Sequence, residues 1–563
     1  MIYRDLERWL DAGAWLRRHR AALLHPDALA GHDTSVRLLV EFGELESALT
    51  DHLLPDADTL LPQTRALRRI ALRTAHLLRA TWRALPLPAA DLGDDWRLLE
   101  ETVATLTGPL RLKVAEGFAL YGLYPETWLE AAERFARSTV PRKALCIGLR
   151  TIGAPLSAVV AAALESAGWE VHALTLRPRG DPFARSPLLA PALEQFLRRH
   201  RDAHALLIDE GPGLSGSSLA GTAEALHRLG FPDARITFFP GWNPDAARLL
   251  SPAARERWPR HDKWIGDFDE SWIASGHLSS LPLQPLDGGR WRALFFDPAD
   301  YPPVQPQHER RKYLSQERAP RLFKFAGLGP YGEEAWRRAA PLADAGFTPP
   351  VHALRHGFLI QSFVPGRPLT AHDCDDALID RAAAYLAFRQ RMFPASHRTE
   401  GETLYRMTAW NLKQTLGVDL PARSDRELLD AGSAVAIDGR LHPWEWLATP
   451  EGYVKTDAVD HHADHFFPGA TDVAWDLAGF AVEFGLDEGA TGQWVRRFVR
   501  HSGDTRVTAR LPWFRLAYLA FHAGYARLAM ETMADSPESE RFLRRHERLL
   551  GPMRLALHAL GPP

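Results

Sequence analysis

The segment Ala205–Leu219, ALLIDEGPGLSGSSL, holds the residues whose types and spacing point most directly to chemistry. An apolar run ends in an acidic pair, Asp209 and Glu210. A glycine-rich turn with Gly213 follows, then Ser215, Gly216, Ser217 and Ser218, and a helical pattern from Leu219. A buried parallel strand delivers carboxylates to its carboxyl end, where open α/β sheets bind ligands. A Ser/Gly run that opens a helix presents N–H groups and hydroxyls suited to a phosphate. Carboxylates for ribose hydroxyls beside a cradle for the 5-phosphate predict a phosphoribosyl ligand.

Such a segment needs a sheet to position it, and the flanking pattern predicts one. From about 106 to 290 strand and helix patterns alternate, as in a Rossmann-like parallel sheet. KALCIGL (143–149) reads as a strand and APLSAVVAAALESAG (154–168) as a helix ended by Gly168. EVHALTLRP is a second strand, followed by the polar loop RGDPFARS; ALLIDE is the third and ARITFFPG the fourth. SSLAGTAEALHRLG is the helix between the last two, and the stretch from Trp242 to about Pro285 reads as irregular. Residues 1–105 carry apolar positions at helical spacing and predict a helical cap or bundle. Its Glu41, Glu44 and Asp51 are expected on a solvated helix face, the alternative being that they line a site. A Pro-rich join, DPADYPPVQPQHERRKYL, leads into a third region, 300–563. There RLFKFAGLG and GFLIQSFVPGRPL read as strands and the remainder as mostly helical.

Composition bounds the function classes. At 563 residues the chain predicts three or four domains. A net charge of −3 gives no basic footprint for nucleic acid. Cys146 and Cys374 are the only cysteines, which argues for a reducing compartment and against disulfides or a cysteine zinc site. No signal peptide and no membrane-length apolar run is present, so a cytoplasmic protein is expected. Arginine is the default cation, the lysines being only Lys113, Lys143, Lys263, Lys312, Lys324, Lys413 and Lys455. Each lysine therefore draws attention.

The central region resembles the type I phosphoribosyltransferases, through three loops in the family's order. Leu149-Arg150-Thr151-Ile152-Gly153 stands at the pyrophosphate loop, Arg177-Pro178-Arg179-Gly180-Asp181 at the flexible loop, and Asp209 to Ser218 at the ribose-phosphate loop. The resemblance implies that Asp209 and Glu210 meet the ribose hydroxyls, with Mg²⁺ near the diol. It implies that Ser215, Ser217, Ser218 and their N–H groups hold the 5-phosphate, and that Arg150, Arg177 and Arg179 neutralise pyrophosphate, with Thr151 and Gly153 in its loop. Phosphoribosyl pyrophosphate would be the ligand. One departure is plain: four residues, Gly211 to Leu214, separate the acidic pair from the serine loop, where the family has three.

The region from about 310 onward resembles the aminoglycoside phosphotransferase and protein-kinase-like fold. Lys324 in RLFKFAG stands at the phosphate-binding lysine, Glu333 or Glu334 at its ion-pair partner, and FLIQSFVPGRPL with Gln361 at the hinge that holds adenine. The family's H-G-D-L-H-P-x-N aligns with Asp438-Gly439-Arg440-Leu441-His442-Pro443-Trp444-Glu445. Arg440 thus replaces the catalytic aspartate and cannot act as a base, and Glu445 replaces the metal-binding asparagine. Asp457 in KTDAVDHH stands at the metal-binding aspartate, with Asp460 nearby, and Asp476 in TDVAWDLAG is expected to hydrogen-bond the catalytic loop. Asp438, His442 or Asp460 could replace the missing base. The histidine run His461-His462-Ala463-Asp464-His465 predicts a loop around a nucleotide rather than a zinc site.

Together these features predict an α/β multidomain protein: a helical region, a phosphoribosyltransferase-like core and a kinase-like α+β domain. The expected function is a bifunctional enzyme acting with phosphoribosyl pyrophosphate, ATP and Mg²⁺ on a small nucleoside- or sugar-like metabolite, with a homodimer as the expected assembly. The alternative is a nucleotide-sensing regulator with a pseudokinase domain and no turnover.

Overall fold

Alternation along the central strands explains why two layers of helices enclose them. The computed structural model describes all residues except 1–5, 25–30, 90, 141–142, 421–423, 460, 465, 467–468 and 562–563. Strands Glu170–Leu176, Lys143–Leu149, His204–Ile208, Ile236–Phe239 and Asp262–Lys263 form, in that spatial order, an all-parallel sheet. Ala144, Cys146, Leu206, Ile208 and Phe239 pack toward one face and Leu145, Ile147, Leu149, Leu207 and Phe238 toward the other. Successive side chains leave a strand on opposite sides, so a strand apolar at every position must be covered twice. The helix Gly153–Ser166, apolar all round, fills the first face, and Pro191–Arg199 and Ser217–Arg228 the second.

The first hundred residues lie on that sheet layer rather than apart from it. Helices His32–Leu53 and Pro62–Trp82 pack on Gly153–Ser166, and strand Glu7–Leu10 pairs antiparallel with Leu110–Lys113. Glu41, Glu44 and Glu46 are buried, which corrects the expected solvated helix face. Each has a partner within the interior: Glu41 lies 2.9 Å from His19 and Glu46 2.9 Å from Arg68, with Glu44 bonded to Arg8.

The C-terminal region is built on a five-stranded antiparallel sheet in the order Leu283–Pro285, Lys312–Ser315, Arg321–Phe325, Phe358–Ser362, Val351–Arg355. Helix Pro330–Asp344 connects the third and fifth in space. A three-stranded sheet, Arg367–Pro368, Trp446–Thr449 and Gly452–Lys455, and six long helices between Asp376 and Ala559 complete it. Phe325 and Phe358 on the back of the five-stranded sheet share one apolar cluster with Tyr124, Trp272 and the central strands. Among the described residues, no helix is long and apolar enough to cross a membrane.

Candidate functional site

Between the five-stranded sheet and the C-terminal helices lies a cavity of about 230 Å³. Its inner wall is the strand pair carrying Lys324 and Gln361; Leu286, Trp291, Phe295, Leu322 and Phe363 give it an apolar end. The turn after Gly439 also lines it, with Arg440, His442, Trp444 and Glu445. Antiparallel register sets Lys324 opposite Lys312, so two ammonium groups reach one cavity from neighbouring strands.

Glu445, Asp457 and His461 converge there, each offering a ligand atom within 4.8 Å of the others'. Glu445 sits in a short turn before Trp446–Thr449, and Asp457 just beyond the paired strand Gly452–Lys455. One hairpin therefore carries both carboxylates to the same edge. Lys324 bonds to Asp457, and His461 Nε2 lies 3.6 Å from the same carboxylate. Against burial, which alone would raise it, Lys324 and then His461 hold the Asp457 carboxyl well below its usual range. Lys455 is fully buried behind the cluster, donating to Glu445 at 3.0 Å and lying 3.5 Å from Asp438. Two carboxylates and an imidazole at this spacing suit a divalent cation, and the hard oxygen donors favour Mg²⁺.

The loop that precedes Glu445 is anchored as expected. The Asp476 carboxylate accepts the backbone N–H groups of Asp438 and Gly439, both at 2.8 Å. Gly439 takes a φ of +80°, which turns the chain so that both amides face one acceptor. Asp438 itself is buried and committed: it bonds to Tyr385, and its Oδ1 accepts the Arg440 N–H at 3.2 Å. With Lys455 holding its carboxyl low against burial, Asp438 is a structural anion rather than a replacement base. His442 is buried, its Nδ1 3.3 Å from Glu483, and burial lowers its pKa.

No protein-family model matches the chain, and no curated protein matches it. Similar solved structures are phosphotransferases. A choline/ethanolamine kinase family protein from Mesorhizobium loti is 17% identical, with a TM-score of 0.29, over 44% of this chain and 90% of that one. Choline kinase LicA from Streptococcus pneumoniae is 13% identical, with a TM-score of 0.30, over 43% and 90%. A spectinomycin phosphotransferase in complex with ADP and spectinomycin is 12% identical, with a TM-score of 0.32, over 49% and 93%.

Several expected residues fall elsewhere. Glu334 points outward and pairs with Arg338 at 3.2 Å, and Glu333 pairs with Arg37 at 2.7 Å. Lys324 bonds to Asp457, while the helix turns Glu333 toward Arg37 of the N-terminal region and Glu334 toward Arg338. Asp460 and His465 lie outside the described residues. His461 joins the carboxylates more closely than a nucleotide loop requires, and in the sequence only the scarcity of lysine in an arginine-rich chain points to Lys455. That bias was a real signal, since Lys312, Lys324 and Lys455 all meet at this one site.

In the central sheet, Asp209 and Glu210 stand half-buried beyond Ile208, as the strand pattern predicts. Burial raises Asp209 to about 7, and burial with repulsion from Asp209 and Glu116 raises Glu210 to about 8. Gly216, at φ +72°, opens the helix Ser217–Arg228, and Ser215 Oγ lies 3.1 Å from Ser217 Oγ. Ser217 is buried and donates to the Pro182 carbonyl at 2.7 Å, so the RGDPFARS loop already rests on this helix end. Gly213 and Ser218 belong to the same turn and helix start.

The pyrophosphate arginines are the main correction. Arg150 has a fully buried side chain, paired with Asp58 at 2.5 Å and Asp51 at 2.9 Å. Arg177 bonds to Asp51, and Arg179 donates to the Leu54 carbonyl at 2.7 Å. These cations tie the helical region to the sheet, and the three guanidiniums share the two carboxylates of Asp51 and Asp58. Thr151 accepts a bond from Ser47 at its carbonyl. Gly153 is required by packing, since a Cβ there would sit 2.4 Å from the Ile208 carbonyl oxygen.

Proposed function

We propose that the C-terminal cavity binds a Mg²⁺–nucleoside triphosphate and transfers its terminal phosphoryl group to a small-molecule acceptor. The observation that carries this reading is the convergence of Lys324 with Glu445, Asp457 and His461 on one cavity from two separate stretches of chain. The apolar end beside Gln361 accepts a planar base. Lys324 and Lys312 bind phosphate oxygens by charge-assisted hydrogen bonds. A magnesium ion held by Glu445, Asp457 and His461 would supply neutralisation of the charge on the transferring group. Asp476 holds the Asp438–Glu445 loop in place, and positioning with charge neutralisation is most of what phosphoryl transfer asks of a protein.

The central strand–turn–helix keeps a narrower proposal, a sugar-phosphate ligand held by Asp209, Glu210 and the Ser215–Ser218 turn. Transfer from phosphoribosyl pyrophosphate is not part of it, because Arg150 and Arg177 are committed to Asp51 and Asp58. Calorimetry with Mg²⁺ and ATP tests the main reading. Lys324→Ala and Asp457→Asn are each expected to weaken binding by about 10-fold or more, the loss of one charge-assisted bond. Unchanged affinity in both variants would remove the site assignment.

A further inference from the structure

Resting on the nucleotide reading above, we propose that the acceptor is an oxyanion, a carboxylate or a phosphate monoester, whose charged oxygen is itself the nucleophile. The acceptor end of the cavity carries the argument. Trp444, Phe466, Phe521, Tyr525 and Phe542 make its walls aromatic. Arg440 projects into it and, among the described residues, has no hydrogen bond or salt bridge to its guanidinium. Arg545, which also lines the cavity, is paired with Glu483 at 2.7 Å, a carboxylate it shares with Arg548 at 3.1 Å and Tyr518 at 2.9 Å. An uncommitted guanidinium in a partly dry, aromatic pocket recognises an anion, by two parallel N–H···O bonds.

The position of that guanidinium adds the chemical step. Arg440 lines the same cavity as Glu445, Asp457 and His461 of the metal-binding cluster, with Asp464 and Tyr525. An anion held by Arg440 is therefore next to the phosphoryl group being transferred, not at a remote end of the substrate. A hydroxyl acceptor must lose a proton to a base; in this loop Arg440 stays protonated and Asp438 is enclosed by Tyr385 and Lys455, which leaves only His442, held by Glu483 at 3.3 Å, to take it. An oxyanion carries no proton to remove. One of its oxygen lone pairs forms the new P–O bond, the bond from the γ-phosphorus to the β–γ bridging oxygen breaks, and ADP departs with that electron pair. The product is an acyl phosphate from a carboxylate, or a phosphoanhydride from a phosphate, and no proton moves. Arginine at this position matches the loop to a different acceptor.

The test uses the full chain saturated with Mg²⁺ and ADP, titrated with four probes of one shape: benzoate, phenyl phosphate, benzyl alcohol and benzylamine. At least one anion is expected to bind about 10-fold or more tightly than the neutral and cationic probes, the value of one charged hydrogen-bonded contact. Benzoate against phenyl phosphate separates the two oxyanion sources. With ATP in place of ADP and hydroxylamine present, a carboxylate acceptor is expected to yield the hydroxamate. Arg440→Gln is expected to abolish the preference and Arg440→Lys to retain part of it, each ratio being read within one variant. Equal affinity for all four, binding of none, or a preference that survives Arg440→Gln overturns the proposal. Dependence of ester formation on Asp464, lost in Asp464→Asn with a hydroxyl acceptor, also overturns it. Absence of heat on adding Mg²⁺ and ADP overturns the nucleotide reading instead.

Discussion

Lys455 is buried among anions, and its removal has a foreseeable cost. It faces Glu445 at 3.0 Å and Asp438 at 3.5 Å, so Lys455→Met would leave two buried carboxylates without their cation. Breaking a buried pair from one side destabilises by about 3–5 kcal/mol. A urea midpoint that does not move would show that another group neutralises them. The acidic pair of the central sheet behaves in the opposite sense. Asp209 and Glu210 titrate near 7 and 8 in the folded chain, against about 4 when unfolded. In that window the folded state binds more protons, so their contribution to stability falls as pH rises. The double variant Asp209→Asn, Glu210→Gln is expected to flatten the decline of Tm between about pH 5 and pH 9. A cation or protonated ligand binding there should gain affinity over the same rise.

Among the elements, the glycine before the first central helix separates two roles for the same turn. If Gly153 serves packing, Gly153→Ala forces a Cβ to 2.4 Å from the Ile208 carbonyl oxygen. Overpacking of this kind costs about 1–3 kcal/mol, and the thermal midpoint should fall while nucleotide affinity in the C-terminal cavity stays unchanged. A stable Gly153→Ala variant would show that the strand and helix can separate. The strands themselves were legible: KALCIGL, EVHALTL, ALLI and ITFF all lie in the parallel sheet, because their apolar runs need two covered faces. Lys312–Ser315 and Leu283–Pro285 were not, since a short edge strand with mixed polarity carries little periodicity and is decided by its partner.

For the whole molecule, the three regions read from composition are joined by a shared interior. Leu328 donates its N–H to the Phe118 carbonyl at 2.9 Å, Tyr124 donates to the His356 carbonyl at 2.6 Å, and Arg310 donates to Ala119 at 2.9 Å. A fragment beginning at residue 300 would lose the strand Leu283–Pro285 and expose the face of Phe325 and Phe358. Such a fragment is expected to bind ANS and aggregate, while the full chain unfolds with the nucleotide site and central sheet lost together. A soluble fragment with an intact site would mean that the interface is dispensable. The same continuity explains the arginine correction: Asp51 and Asp58 reach Arg150 and Arg177 only because the helical region lies directly on the sheet.

What the sequence determined alone was local. It marked the parallel strands, the acidic pair with its serine turn, and the Asp438–Glu445 segment with its arginine, because side-chain periodicity and short motifs are properties of contiguous residues. Partnership was decided only in three dimensions. Lys324 found Asp457 across 133 positions, and Arg150 found Asp58 across 92. A buried charge takes whichever counter-charge the packing brings within reach, and no spacing along the chain records that choice.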